Sequence, residues 1–441
     1  MTTVVSDNIL IVLYFLAWVL TFVWYHWRHH ELDAGSAIIG SYVAYAAISI
    51  ISLNDDLFNW EYKPLQLFPF IYLYLMLMLA LSPIIRLHFR PAKEIEDPNT
   101  RIIVPFCWFI FACSLLILPD IITNFSDGFV KLFTDVDAGH DAYLEQLDDS
   151  SDAGSSITNI PAIIFNACYD VAVFFTFYFL SRENKNWPLI MALLFSSFVG
   201  AMLPIMRGQR GGVILAMLTI IAAYFFFKHF LSKGIRRFVR LTGIVAFIAM
   251  VLPVAAITVS RFGETNAGIT GYISWYIGQE NIYFNNFALD AGGIRYGDRT
   301  INLVKRAIDP STPKNFVERR LKYRNLAIDD YYFVTFVGDF CLDFGPILSV
   351  FIFLVFNLWV HHQIYPKEND DEDSIPLHNL LLIYFVICIC MQGGMYLFAY
   401  SDLGGNLRII VFAGLYIYLR LHKSLLEKFP LSLHQSYTSE Q

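Results

Sequence analysis

The sequence predicts an all-α, polytopic integral membrane protein with about 11 transmembrane helices and one large external loop between the eighth and the ninth. Three observations carry that expectation. Of 441 residues, 56% are apolar and only 16% charged, against roughly 25% charged in a soluble domain. Mean hydropathy is +0.51. Apolar runs of about 20 residues, the length that crosses a bilayer as a helix, recur from one end to the other. A soluble enzyme is excluded because no water-soluble core could hide this much apolar surface. An outer-membrane barrel is excluded because the runs are continuous instead of alternating. The net charge of -7, with no basic tail or stripe, argues against nucleic acid as a partner.

Taken in order, the expected spans are 8–25, 34–53, 65–86, 102–121, 159–181, 187–206, 212–230, 241–259, 332–360, 377–399 and 404–421. Residues 1–441 read as a single polytopic domain, with 260–330 as a large loop within it and no internal repeat. The N-terminus lacks a basic n-region and a small-residue cleavage site, so the first span reads as retained. Lys and Arg mark the cytoplasmic side of short loops. Arg28, Arg86, Arg90, Lys93, Arg101, Arg182, Lys185 and the run Lys228 to Arg240 follow every second span, and Arg420, Lys423 and Lys428 place the C-terminus on that same side. An odd number of spans then puts the N-terminus outside. All six cysteines fall in or beside apolar segments, where Cys packs as a small hydrophobe; Cys388 and Cys390 read as filler and not as a metal pair.

Two external segments break the charge rule. Arg207 to Gly212 (RGQRGG) is a tight turn carrying two arginines, and residues 260–330 form a net basic loop. Guanidinium groups offer planar bidentate donors suited to phosphate. Flanking glycines let backbone and fork approach an anion, so Arg207 and Arg210 suit a lipid pyrophosphate; snorkelling to lipid headgroups is the alternative. Tyr272 to Phe287 (YISWYIGQENIYFNNF) is dense in aromatics and amides. Such a run suits a sugar-binding cleft, with Tyr276 and Tyr283 as flat faces and Glu280 among them, or equally an interfacial amphipathic helix. Arg295, Asp298 and Arg299 sit in a Gly-rich turn (GGIRYGDR), which suits either charges placed in a site or a solvated loop. At the start of the ninth span, Asp339 and Asp343 are four residues apart and share a helical face. Carboxylates near apolar depth need hydration or a cation, and Arg210 or another external arginine is the expected partner. Asp170, mid-way in the fifth span, is an intramembrane carboxylate suited either to function or to helix packing. The basic loop contains no histidine, which argues against a histidine base or a zinc site there.

The order of these features, with the RGG turn at Arg210 to Gly212 and the entry Gly338 to Gly345 (GDFCLDFG) following a large external loop, resembles the bacterial oligosaccharide repeat-unit polymerases, the Wzy-type O-antigen polymerases. The likeness covers roughly residues 190–420. It implies a metal- and cofactor-independent glycosyltransferase of the bacterial inner membrane with its site facing the periplasm. Its donor and acceptor would be polyprenyl-pyrophosphate-linked oligosaccharides, its surroundings membrane lipids, and a chain-length regulator a further partner. On that resemblance Arg210, then Arg207, Arg261 and Arg295 would hold phosphate and stabilise the leaving group; Glu280 or Asp339 would accept the acceptor hydroxyl's proton; Tyr276, Tyr283 and Asp343 would help bind substrate. The related O-antigen ligases rely on a loop histidine that this loop lacks. The reading from a different class is a flippase or exporter of lipid-linked oligosaccharide, which would place its cations in a central cavity and show repeated halves.

Overall fold

A computed structural model of the chain describes residues 2–55, 62–86, 94–98, 101–134, 160–206, 210–262, 268–364 and 374–428. It is almost entirely helical. The first eight long helices are α1 (Thr2–His29), α2 (Ala34–Leu53), α3 (Leu67–Arg86), α4 (Ile103–Thr134), α5 (Ile160–Ser181), α6 (Trp187–Met206), α7 (Arg210–Phe227) and α8 (Lys233–Phe262). Four shorter ones follow: α9 (Gly268–Tyr283), which continues into a π-helical turn at Phe284–Ala288, α10 (Asn302–Ile308), α11 (Phe316–Lys322) and α12 (Thr335–Phe344). The last three are α13 (Pro346–Ile364), α14 (Leu377–Gly393) and α15 (Asp402–Lys428). Among the described residues, seven helices are long and apolar enough to cross a membrane, and α4, α7 and α14 contribute shorter apolar stretches. The protein is therefore a helical membrane protein.

The outward surface of the bundle agrees. Ile347, Leu348, Phe351, Val355 and Leu358 on α13, and Leu13, Leu16 and Leu20 on α1, are exposed leucine-class side chains that lipid accommodates and water would not. Inside, Trp18, Phe174, Phe175, Phe226, Phe227 and Tyr384 are fully buried in one continuous apolar core, and all six cysteines are buried.

Loop contacts sort the helix termini into two ends. At one end, Lys228 donates to the Leu32 carbonyl at 2.6 Å, Lys423 meets Glu96 at 2.8 Å and Arg182 pairs with Asp97. There too, two short strands, β1 (Glu94–Ile95) and β2 (Ser374–Ile375), pair in parallel and tie the α3–α4 connection to the α13–α14 connection. At the opposite end, α9 to α12 and their turns form a polar module seated on the bundle. Asn285 and Asn286 hold the strand-like segment before α3 through Gln66 and Lys63, and Asn406 at the start of α15 accepts from the Leu303 amide at 2.9 Å.

Two expected spans are corrected. Residues 332–360 do not form one helix. Gly345, with φ 80° and ψ 159°, ends α12, and Pro346 opens α13. That backbone conformation is essentially confined to glycine, and proline fits the first turn of a helix, where its missing N–H has no partner to lose. The carboxylates Asp339 and Asp343 thus belong to the polar module and not to a span. Likewise the expected span 377–399 stops at Gly393, and a turn separates it from α15.

Candidate functional site

The module is organised around an ion-pair network between a turn that carries Arg295 and Arg299 and the helix α12 that carries Asp339 and Asp343. Tyr296 (φ 55°) and Gly297 (φ 80°) turn the chain in the left-handed region between Arg295 and Arg299, so both guanidiniums project towards α12. There, Asp339 and Asp343, one turn apart, receive them. Arg295 Nη2 lies 3.1 Å from Asp339 Oδ1, and Arg295 Nε 2.7 Å from Asp343 Oδ1. Arg295 Nη1 pairs with Asp330, which also receives Arg299 Nη1 at 3.1 Å and Arg319 Nε at 2.5 Å. Arg319 extends to Asp402 at the start of α15. Other donors reach the carboxylates as well: the Phe398 amide donates to Asp339 Oδ2 at 2.7 Å, and the Thr300 amide and hydroxyl to Asp343 Oδ2 at 2.7 and 2.8 Å.

All six central side chains are buried: Arg295, Arg299 and Arg319 against Asp330, Asp339 and Asp343, three charges of each sign. Buried charges are tolerated only when paired and hydrogen-bonded. Burial pushes the Asp330 carboxyl up, but Arg299, Arg295 and Arg319 overcome this and hold it well below the usual carboxylate range. At Asp339 burial outweighs the same arginines and the net direction is upward. Backbone strain gathers around this network as well, since Tyr296, Thr335 and Asp402 all have positive φ. Such residues persist only where their surroundings over-determine them.

Beside the network opens a cavity of about 410 Å³. Buried Arg295, Asp330 and Asp339 border its inner side, and Tyr323 and Tyr332 supply aromatic surface. Arg320, Arg324 and Asp329 border its exposed side. Arg320 is held by Asp329, Nε to Oδ1 at 2.6 Å. Arg324 has no carboxylate partner among the described residues.

The expected site residues distribute unevenly over this geometry. Arg295 and Asp339 reach the cavity, and Asp343 stands behind them in the network. Arg295 is not a free phosphate ligand: its guanidinium faces three carboxylates, so it positions the network. Among the described residues, the cations facing Asp339 and Asp343 are Arg295 and Arg299, which are among the external arginines expected there beside Arg210. Glu280 lies away from the cavity, fully buried where α9 crosses α2. It accepts from Asn281 at 3.0 Å, and no cation pairs with it among the described residues; burial drives its carboxyl well above the ordinary value. Its neighbours in the amide-rich run serve helix packing instead of a cleft. Asn281 donates to Ser49 at 2.9 Å and accepts from Tyr14 at 3.1 Å. Tyr283 is 2% exposed, packed against Tyr62, Phe287 and Tyr332. Tyr276 packs edge-on to Phe333 near the RGG turn: a Cβ on Gly211 would lie 3.0 Å from the Tyr276 hydroxyl. Arg210 opens α7 and Arg261 lies in the last turn of α8; their side chains, and all of Arg207, lie outside the described residues.

Arg319, Asp330 and Asp402, together with the cavity residues Arg320, Arg324 and Asp329, are site residues that the sequence reading did not single out, whereas Arg299 was read with Arg295 as a charge placed either in a site or on a solvated loop. One signal was available: Arg295 and Arg299 have the same four-residue spacing as Asp339 and Asp343. None of the family models, curated proteins or solved structures compared with the chain matches it.

Proposed function

We propose that the protein is a membrane glycosyltransferase that polymerises polyprenyl-pyrophosphate-linked oligosaccharide repeat units at the periplasmic face of a bacterial inner membrane. In this reading the chain crosses the membrane eleven times, with the eighth crossing in α8 and the polar module outside. The observation that carries it is the cavity beside the Arg–Asp network, which combines aromatic surface with exposed arginines at the end of the bundle where a lipid-linked substrate would present its head. Tyr323 and Tyr332 suit sugar faces, and Arg320 and Arg324 suit the pyrophosphate. The bond from the donor's anomeric carbon to its pyrophosphate oxygen breaks, and the arginines stabilise the charge left on that oxygen. The acceptor hydroxyl forms the new glycosidic bond and gives up its proton to a carboxylate. Asp329, paired with Arg320 but partly exposed at the cavity, suits that task better than Asp339, which is fully buried within the network, or Glu280, which is remote.

The test is extension of a lipid-linked repeat unit by the purified full chain in detergent with a chelator present. Wild type should give a ladder of multiples on a gel. Arg324→Ala should lower the rate about 10- to 100-fold, the loss of one charged hydrogen bond of about 1.5–3 kcal/mol. If wild type leaves the unit unextended but vesicles containing the protein carry it across the bilayer, the flippase reading replaces this one.

A further inference from the structure

A second polar cavity lies within the bundle, away from the Arg–Asp network. Its volume is about 110 Å³, room for on the order of three or four waters and too small for a chain of sugars. Helices α5, α6, α7, α14 and α15 all contribute to its wall, and Gly212, just inside the RGG start of α7, is part of it. Arg408 is its cation. Asn166 orients that guanidinium, with Arg408 Nη2 donating to Asn166 Oδ1 at 2.7 Å and Nε to the Asn166 carbonyl at 3.1 Å. Among the described residues, the Nη1 group is left with only a 3.7 Å approach to Asp170 Oδ2. Asp170 itself is not in the wall. It is fully buried behind it and accepts from Tyr400 at 3.0 Å and Thr219 at 3.3 Å. The cavity therefore displays the positive member of the pair and conceals the negative one.

Two further wall residues are buried with an unused polar atom. Among the described residues, Tyr169, 4% exposed, has no partner for its hydroxyl, and Gln392, 1% exposed, donates to Thr219 at 2.5 Å but leaves Oε1 unmatched. Orphaned buried groups of this kind are costly unless something occupies the space between them. The free set comprises guanidinium and phenol donors with one amide acceptor. An oxyanion that still carries a proton, such as a phosphate monoester, satisfies both kinds at once.

We propose that this cavity binds a phosphate-class oxyanion, with Arg408 and Tyr169 as donors and Gln392 Oε1 accepting a hydrogen bond from the anion's hydroxyl. The ligand is the phosphate head of a membrane lipid or free phosphate, and the site stands whether or not the protein transfers sugars. The probes are dodecyl phosphate and sodium phosphate, titrated against the full chain in a neutral maltoside detergent and read as adducts by native mass spectrometry. Arg408→Gln removes the charge. Ala216→Leu fills the cavity and leaves the Arg408–Asp170 pair untouched, so it answers the question even if loss of Arg408 unfolds the protein. Wild type should form a saturable 1:1 adduct, at least about tenfold weaker in each folded variant. Binding of dodecyl phosphate alone identifies a lipid head, and equal binding of sodium phosphate identifies the free anion. No adduct on wild type, or a folded variant that binds as wild type does, overturns the proposal.

Discussion

Asp330 is the hub of the polar module, and its replacement by asparagine gives the sharpest test of how that module is held. Asparagine keeps the shape and removes one charge. The buried set of three arginines and three aspartates then goes from neutral to one uncompensated positive charge, while Arg295, Arg299 and Arg319 each lose a carboxylate partner. Breaking a buried pair by removing one member costs about 3–5 kcal/mol. Asp330→Asn should therefore unfold the module well before wild type when the detergent-solubilised protein is titrated with denaturant at neutral pH. Removing a positive charge as well, with Arg319→Met, restores neutrality, and the double variant should recover part of that loss as a coupling energy. The pH dependence has a defined sign. Folded Asp330 takes up its proton well below the value near 3.9 of an unfolded aspartate. Its contribution is whole above about pH 4 and is lost as the pH falls through the folded value. Wild type and Asp330→Asn should differ by a constant amount from about pH 5 to 8 and converge in strong acid. A loss below about 1 kcal/mol, or a double variant no more stable than the sum of the singles, would refute the account of the network as a mutually neutralised unit.

Three further outcomes follow from other parts of the molecule. Glu280 binds its proton more tightly folded than unfolded, so wild-type stability should decline as the pH rises from its unfolded value, near 4.3, through its folded one. Glu280→Gln should abolish that slope, stabilise the protein at neutral pH and leave repeat-unit extension intact; loss of extension would return Glu280 to the catalytic candidates. Gly278 sits at the crossing of α9 and α2, where an added Cβ would stand 2.8 Å from the Ile48 carbonyl oxygen, an atom fixed in a helix. Gly278→Ala should cost about 1–3 kcal/mol in thermal unfolding, and a neutral result would mean the helices separate freely. Gly345→Ala meets no atom closer than 3.9 Å, so its cost of about 1–3 kcal/mol would come from backbone conformation alone; a change within about 0.5 kcal/mol would show that the break between α12 and α13 can relax.

The helical bundle was legible because lipid imposes a length and an apolarity that no other environment demands: eight of the eleven expected spans coincide with long or short apolar helices, and two more, 332–360 and 377–399, do so in part. The break at Gly345 escaped because FVGDFCLDFGPILS is apolar on both sides of it, and hydropathy averages across a turn. Glycine followed by proline was the local clue. The Tyr272 to Phe287 run was ambiguous for a different reason. Aromatics and amides suit a sugar cleft and a helix–helix contact equally well, and only the close approach at Gly278 separates them. The shared spacing of the two arginines and two aspartates was visible. Their pairing was not, because it depends on how the 290s turn is seated on α12, and no local rule sets that. Asp170 was visible as a membrane-depth charge, whereas its approach to Arg408 and the five-helix wall around Arg408 are purely tertiary.

The contacts that tie the first helices to the later part of the chain also bear on how the protein is made. Tyr14 meets Asn281, Gln66 meets Asn285, Tyr72 donates to the Pro346 carbonyl and Tyr42 to that of Cys390, pairings between residues 219 to 348 positions apart. At a synthesis rate of about 5–20 residues per second, the first three helices leave the ribosome roughly 10 seconds to a minute before those partners exist. During that interval their tyrosine hydroxyls and the Ser49 side chain have only the helix backbone, one another or water at the membrane surface to bond with. Newly inserted N-terminal helices should accordingly be the stage at which insertion chaperones and membrane proteases act on this chain, and release from them should await synthesis of α14.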